Sequence, residues 1–241
     1  MGFNSDFPTI YLDLKHVDYA KLENVADHDS RSHVTESLRR ETYVPATLRT
    51  NNRSLKAKVR LKGDRKIHWA NPGRWSFRVK TKDDTLLGMR EFSIQHPVTR
   101  NYIYEWLFHE FLKHEGIIGL RYLFVDLYVN GDNKGVYVVE EHFDRRLIEN
   151  NRRREGPILG FKEDSHDWRE ASISAYQQRS WEEKNPTLLK KAIRSLSTFQ
   201  KGESALEETI DAGKLATYLA ICDILETPHG SLPKSVKFYF N

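Results

Sequence analysis

Residues 120–140, LRYLFVDLYVNGDNKGVYVVE, decide the fold class of this chain. Apolar runs lie on both sides of Asn130-Gly131. Asn-Gly is the dipeptide that most readily takes positive φ at both central positions of a tight turn. The stretch therefore predicts a β-hairpin, Leu120 to Val129 against Lys134 to Glu140, joined through Asn130-Gly131-Asp132-Asn133. Working towards the N-terminus, Tyr43–Arg49, Leu55–Leu61, Trp75–Lys82 and Glu91–Gln95 read as strands. Turn signals at Asn51-Asn52, Lys62-Gly63-Asp64, Asn71-Pro72-Gly73 and Asp83-Asp84 separate them, which predicts an antiparallel meander. Phe7–Leu14 alternates like a half-buried strand.

Between meander and hairpin, Thr99 is placed to cap a helix over 101–114, with Ile103, Trp106, Leu107 and Phe111 as its apolar stripe and Gly116 as its stop. Residues 18–40 carry no sharp signal beyond a short helix. Past the hairpin the pattern predicts a helix over 142–152, a short strand over 157–162, a polar irregular stretch over 163–186, helices over 186–199 and 204–225, and a closing strand over 235–240. The expected class is α+β, with a β-rich part over 1–141 and a mainly helical part over 142–241.

Composition narrows the function. Of 241 residues, 12% are aromatic and 39% hydrophobic, too much core-forming bulk for intrinsic disorder. No apolar run approaches the ~20 residues of a membrane span, and the opening residues carry no signal-peptide pattern. Cys222, the single cysteine, excludes a disulfide framework and a Cys-cluster zinc site. A net charge of +4 is a weak argument for a nucleic-acid partner, and no aromatic-basic reader motif supports one. Basic residues do concentrate at Lys56, Lys58, Arg60, Lys62, Arg65 and Lys66 against Asp64 alone, and again at Arg152–Arg154.

Three features suit a phosphate site. Gly63, after a strand ending in Lys62, lets backbone N–H groups approach an anion. Arg78 and Lys80, two residues apart on a strand, share one face. Glu105 and Glu110 on the following helix are available partners for a buried cation, and a strand lysine paired with a helix glutamate is one way of holding nucleotide phosphates. His142 with Asp144, and His109 with His114, lack further ligands at metal-binding spacing. Asp223 and His229 stand at the end of an apolar helix and in the loop beyond it.

The segments Val59-Arg-Leu-Lys-Gly-Asp64, Trp75-Ser-Phe-Arg-Val-Lys80, Glu91-Phe-Ser-Ile-Gln-His-Pro97, Thr99-Arg100, Leu120-Arg-Tyr122, Asn130-Gly131, Gly135-Val-Tyr-Val-Val-Glu-Glu141, Arg154-Glu-Gly-Pro-Ile158 and Lys237-Phe-Tyr-Phe-Asn241 occur in the order of the CotH-like kinase family, named after a spore coat protein. The chain resembles that family closely over 43–164 and more loosely over 205–241. The resemblance implies an atypical, bilobal protein-kinase-like fold: an antiparallel N-lobe sheet with one packed helix, then an incomplete, mainly helical C-lobe. It implies use of ATP with Mg²⁺ or Mn²⁺ and phosphorylation of protein Ser or Thr, with a coat or surface protein as the candidate acceptor.

Carried onto this chain, the resemblance makes Lys62 and Gly63 the loop over the phosphates and Arg78 or Lys80 the phosphate contact, Lys80 favoured. Glu105 is its favoured helix partner, with Glu110 left open. Glu141 lies at the hinge as a ligand contact, and Asp144 is a lesser candidate there. Asp223 and His229 fall at catalytic positions, Asp223 also as the metal ligand. Ser235 stands where the family has Asn, and the expected second acid is not reached before Asn241. These departures imply a domain trimmed at both ends and inactive as this chain. The alternative is a non-catalytic pseudokinase serving as a structural or interaction module of a spore coat or cell envelope. For a longer product, the cell envelope, the spore surface and export are all open locations.

Overall fold

The computed structural model describes residues 6–31, 36–63 and 65–241. Two compact units emerge: Met1–Trp106 with Leu120–His142, and Leu107–Gly119 with Phe143–Asn241. The first is built on seven strands, β1 (Thr9–Asp13), β2 (Val44–Thr50), β3 (Arg53–Leu61), β4 (Phe77–Thr81), β5 (Glu91–Gln95), β6 (Tyr122–Val129) and β7 (Asp132–Glu141). They close into a barrel in the order β1-β2-β3-β4-β5-β7-β6. Every neighbouring pair is antiparallel except β1 with β6, which run parallel with Thr9 opposite Asp126 and Leu12 opposite Val129.

This closed, mixed barrel overturns the expected bilobal kinase-like fold with its antiparallel N-lobe sheet. The physical reason lies in β1. Alternation over 9–13 marks a strand but does not say which partners it takes. Here β1 bonds to β2 on one edge and to β6 on the other, so both sheet edges disappear. The turn at 130 helps to hold that seam. Asn130 and Gly131 take φ of 50° and 85°, as the hairpin reading requires, with Val129 opposite Asp132. The Asn130 backbone N–H donates to the Leu12 carbonyl at 3.0 Å. Its side-chain Oδ1 accepts the Leu14 N–H at 2.7 Å.

Inward-facing Ile10, Leu12, Leu48, Val59, Leu61, Phe77, Val79, Phe92, Ile94, Val125, Leu127, Tyr137 and Val139 fill the barrel. Small barrels are packed cores of this kind. Helix α1 (His16–Arg31) arises from the stretch without a sharp sequence signal. It adds Leu22, Val25 and Ala26 to the same core, and Tyr19 stacks on Trp75 at 5.3 Å. A short α2 (Glu36–Glu41) leads into β2.

The helix expected from 101 begins later, as α3 (Tyr104–His114). Thr99 is not its cap. It sits within a single 3₁₀ turn, Pro97–Arg100, which His96 caps by accepting the Val98 N–H on Nδ1 at 3.2 Å. Asn101 and Tyr102 then take positive φ of 50° and 61°, so the chain must turn before a helix can start.

In the second unit α4 (Arg145–Asn150) is capped by Asp144, whose Oδ1 accepts the N–H groups of Arg146 and Leu147. Strand β8 (Ile158–Phe161) lies between β9 (Ile173–Ala175) and β10 (Phe238–Tyr239). Helices α5 (Gln178–Lys184), α6 (Pro186–Gln200), α7 (Leu206–Thr209), α8 (Ala212–Ile224) and α9 (Pro228–Ser231) complete the unit. Leu159, Phe161, Leu189, Ala192 and Leu196 form its core with Trp168, Trp181 and Phe199. The single helix expected over 204–225 is broken at Ile210, and Asp211 caps α8 by accepting the Lys214 N–H at 3.0 Å. Gly156 admits the C-terminal strand, because a Cβ there would lie 2.1 Å from the Phe240 carbonyl oxygen. Among the described residues no helix is long and apolar enough to cross a membrane.

Leu12 is fully buried on the strand that closes the barrel. Leu12→Ala is therefore expected to cost about 2–5 kcal/mol in urea unfolding, the range for a cavity in a packed core. A loss well below that would mean that β1 does not close the sheet.

Candidate functional site

With apolar residues filling the barrel, the pleat sends their neighbours to the outer face. On that face one row crosses four strands and reaches a fifth: Arg60 opposite Arg78, Arg78 opposite Ser93, Ser93 opposite Glu140, and Glu140 opposite Tyr122. Lys62 continues the outer side of β3, and Gln95 that of β5.

Lys62 is the buried lysine of this face. Its Nζ donates to Gln95 Oε1 at 2.8 Å and to Glu140 at 2.9 Å (Oε1) and 3.1 Å (Oε2). Gln95 Nε2 donates to Glu140 as well. Burial pushes the Lys62 ammonium down to about 8, with Glu140 pulling it back up and Arg78 and Arg100 lowering it further. For Glu140 burial opposes ionisation, yet Lys62, Arg100 and Arg78 together hold its carboxyl well below the usual carboxylate range.

Arg78 donates to Nδ1 of His142 at 2.8 Å. Burial, followed by the Arg78 charge, lowers the imidazole to about 3. His142 is thus a neutral acceptor that orients Arg78 without cancelling its charge. Arg100 stands 4.0 Å from Glu105. Among the described residues Arg60 Nε, Arg100 Nε and Ser93 Oγ are buried without a hydrogen-bond partner. Three cations, Lys62, Arg78 and Arg100, therefore surround Glu140, with Glu105 beside Arg100 and Arg60 opposite Arg78 in the same row, and donor capacity is left unused.

The residues singled out from sequence divide accordingly. Lys62 and Arg78 lie together in the cluster. Lys80 is on the exposed part of the same face, 3.4 Å from Glu91 and 5.3 Å from the Tyr43 ring. Lys80 and Glu105 thus enter different pairs. On α3, Glu110 pairs with Lys113 at 2.6 Å. Gly63 has φ of 94°, and a Cβ there would lie 2.2 Å from the His68 ring, so the close packing of His68 already requires glycine. Asp64, the third member of that turn, lies outside the described residues. Glu141 is 2% exposed, pairs with the Arg121 guanidinium and accepts the Arg121 N–H at 3.0 Å. Asp223, at the end of α8, and His229, on α9, are both exposed.

Sequence reading missed Glu140, Gln95, Arg100 and the role of His142. Strand parity carried the signal for two of them. Tyr137, Val139 and Glu141 share the inward side of β7, Glu141 opposite Phe92, which leaves Glu140 on the side of Ser93 and Arg78. Gln95 follows from Ser93 by the same count.

The donor set fits a phosphate group, which is anionic and takes several N–H donors at once. Among the described residues no three of His, Cys, Asp and Glu come together, so no all-protein metal cage is formed; Mg²⁺ held largely by phosphate oxygens needs only one or two carboxylates. A protein-family model described as CotH kinase protein matches residues 59–227. Among curated proteins none matches the chain.

His142 and Glu140 give the site a pH signature. Unfolded, His142 takes a proton near 6.5, whereas in the fold it resists protonation until about 3. The unfolded chain therefore binds the extra proton, and stability falls as pH drops through that window. Glu140, depressed from 4.5, adds to the fall below that pH. His142→Asn, which keeps an acceptor for Arg78, is expected to remove about 2 kcal/mol of the loss between pH 6.5 and 5, at ~1.4 kcal/mol per unit. Unfolding free energies at those two pH values test it, and an unchanged difference would refute the buried neutral imidazole.

Proposed function

Because the chain belongs to the CotH kinase protein family, we propose that its barrel binds the phosphates of a nucleoside triphosphate, ATP, in support of phosphoryl transfer to a protein Ser or Thr. The observation that carries this reading is the Lys62–Glu140 pair beneath an excess of cations, with Arg60 Nε, Arg100 Nε and Ser93 Oγ unused. When bound, the triphosphate supplies the transferable γ-phosphoryl group. This chain's own residues supply position and charge. Glu140 and Gln95 fix the Lys62 ammonium. His142 fixes Arg78. An arriving anion favours the protonated lysine, so binding is expected to pull Lys62 back up from about 8. Donors held in advance need no reorganisation when charge arrives.

A second reading, a non-catalytic nucleotide-binding module in a coat or envelope layer, is favoured by one observation. The two residues assigned to catalysis, Asp223 and His229, are both exposed, unlike the buried Lys62–Glu140 pair. Both readings share the phosphate site and differ in turnover.

Titration calorimetry of ATP, with and without Mg²⁺, tests the site. Lys62→Ala strands Glu140 in the interior and is expected to destabilise the barrel by about 3–5 kcal/mol. The informative variant is therefore the neutral pair Lys62→Met with Glu140→Gln, expected to remain folded and to lose at least about tenfold in affinity, the value of one charge-assisted contact. Lys80→Ala is expected to stay within about threefold of wild type, since Lys80 pairs with Glu91 at the surface. Equal affinity in wild type and the neutral-pair variant would dismiss the site. ATP turnover on a protein acceptor separates the catalytic reading from the non-catalytic one.

A further inference from the structure

Beyond the buried cluster, the outer face of β3 and β4 carries charge that the fold does not need. Lys56, Lys58, Arg60 and Lys62 share one side of β3, and Arg78, Lys80 and Lys82 the same side of the β4 edge. The register sets like against like: Lys58 opposite Lys80, and Arg60 opposite Arg78. Lys82 donates its backbone N–H to the Lys56 carbonyl at 3.0 Å, which brings a third lysine pair together. Like charges directly opposite each other destabilise a sheet. Few neighbouring acids relieve them. Glu91 pairs with Lys80 at 3.4 Å. Lys56, Lys58 and Lys82 are exposed and make no ion pair among the described residues. On the β2 side the facing residues are Thr47, opposite Lys56, and Pro45, opposite Lys58, both uncharged.

We infer that this double row of cations is a docking surface for an extended, acidic segment of a protein partner. Charge complementarity selects an anion, and the geometry selects an extended chain. The accessible cations of β3, Lys56, Lys58 and Arg60, recur every second residue, about 6.6–6.8 Å apart, and cover about 13 Å; Lys62, buried against Glu140, is not among them. An extended peptide presents its alternate side chains at that same interval, so acidic residues at every second position meet the row in register. Single-stranded nucleic acid has comparable charge spacing but is held on aromatic platforms. The aromatic ring here, Tyr43, is engaged by Arg60 at 5.5 Å and Lys80 at 5.3 Å. The exposed lysines of this surface, Lys56, Lys58 and Lys82, are not part of the phosphate cluster, so changing them leaves that cluster in place.

The test uses a fluorescent deca-glutamate peptide as probe, a labelled deoxythymidine decamer as its nucleic-acid counterpart, and the full chain. Lys58→Glu with Lys82→Glu places acids against Lys80 and Lys56. This variant is expected to melt at a higher temperature than wild type and yet to bind deca-glutamate at least about tenfold more weakly, judged by one lost charge-assisted contact. Loss of binding in a more stable protein cannot be unfolding. Lys190→Glu with Arg194→Glu, in a separate basic groove along α6, is expected to leave peptide affinity unchanged. Peptide binding insensitive to the β3–β4 reversal, or no peptide binding, overturns the inference. So does tighter binding of the decamer than of the peptide, lost on the same reversal, which would make nucleic acid the occupant. ATP titration of the reversal variant reads the phosphate site separately.

Discussion

A closed barrel allows each strand two sides and no edge. Once Ile10, Leu12, Val59, Phe77, Val79, Phe92, Ile94 and Val139 are committed to the interior, every alternate residue of β3, β4, β5 and β7 must lie outside. The strands that supply these apolar interior residues therefore also carry Arg60, Lys62, Arg78, Ser93, Gln95 and Glu140 in adjacent registers. Packing places the charges; no separate device is required to gather them. Closure through β1 and β6 then fixes the strands against sliding, because a one-residue slip would exchange the two faces.

What the outer face does with those charges is unfavourable on stability grounds alone. Removing an ammonium and a carboxylate from water costs several kcal/mol per ion, and their attraction repays this only when geometry and hydrogen bonding are good. Lys62 and Glu140 meet that condition, with Gln95 bonded to both. Arg60 and Arg100 do not, since each leaves a buried Nε unused. An apolar row would have packed as well without the desolvation. The excess of donors is understandable as a receptor for negative charge that arrives from outside. His142 belongs to the same logic, because only a neutral acceptor can orient Arg78 without reducing its pull on an anion.

Much of the fold was legible in local chemistry. The hairpin at Asn130-Gly131 follows from backbone preference, and the strand β5 at Glu91–Gln95 coincides with its expected span. Helix α1 escaped notice because its long polar stretches leave few apolar residues to set a period. Barrel closure was illegible for a different reason. The alternation of β1 is satisfied by any partner, and its pairing with β6 spans more than a hundred residues. Nothing local encodes such a contact.

The site was half legible for the same reason. Basic residues at 60, 62, 78 and 80 announce themselves by spacing, so Lys62 and Arg78 could be picked from the chain. Their counter-charge could not be read by proximity to a helix. The acid that meets Lys62 comes from a strand, 78 residues later in the chain. Choosing between Glu140 and Glu141 needs only the pleat: Glu141 lies opposite Phe92 and is held by Arg121, while Glu140 lies opposite Ser93 and meets Lys62. Two adjacent glutamates thus have separate tasks, one fastening the barrel and the other setting the charge of its outer face. Parity along the strand, more than residue type, is what tells them apart.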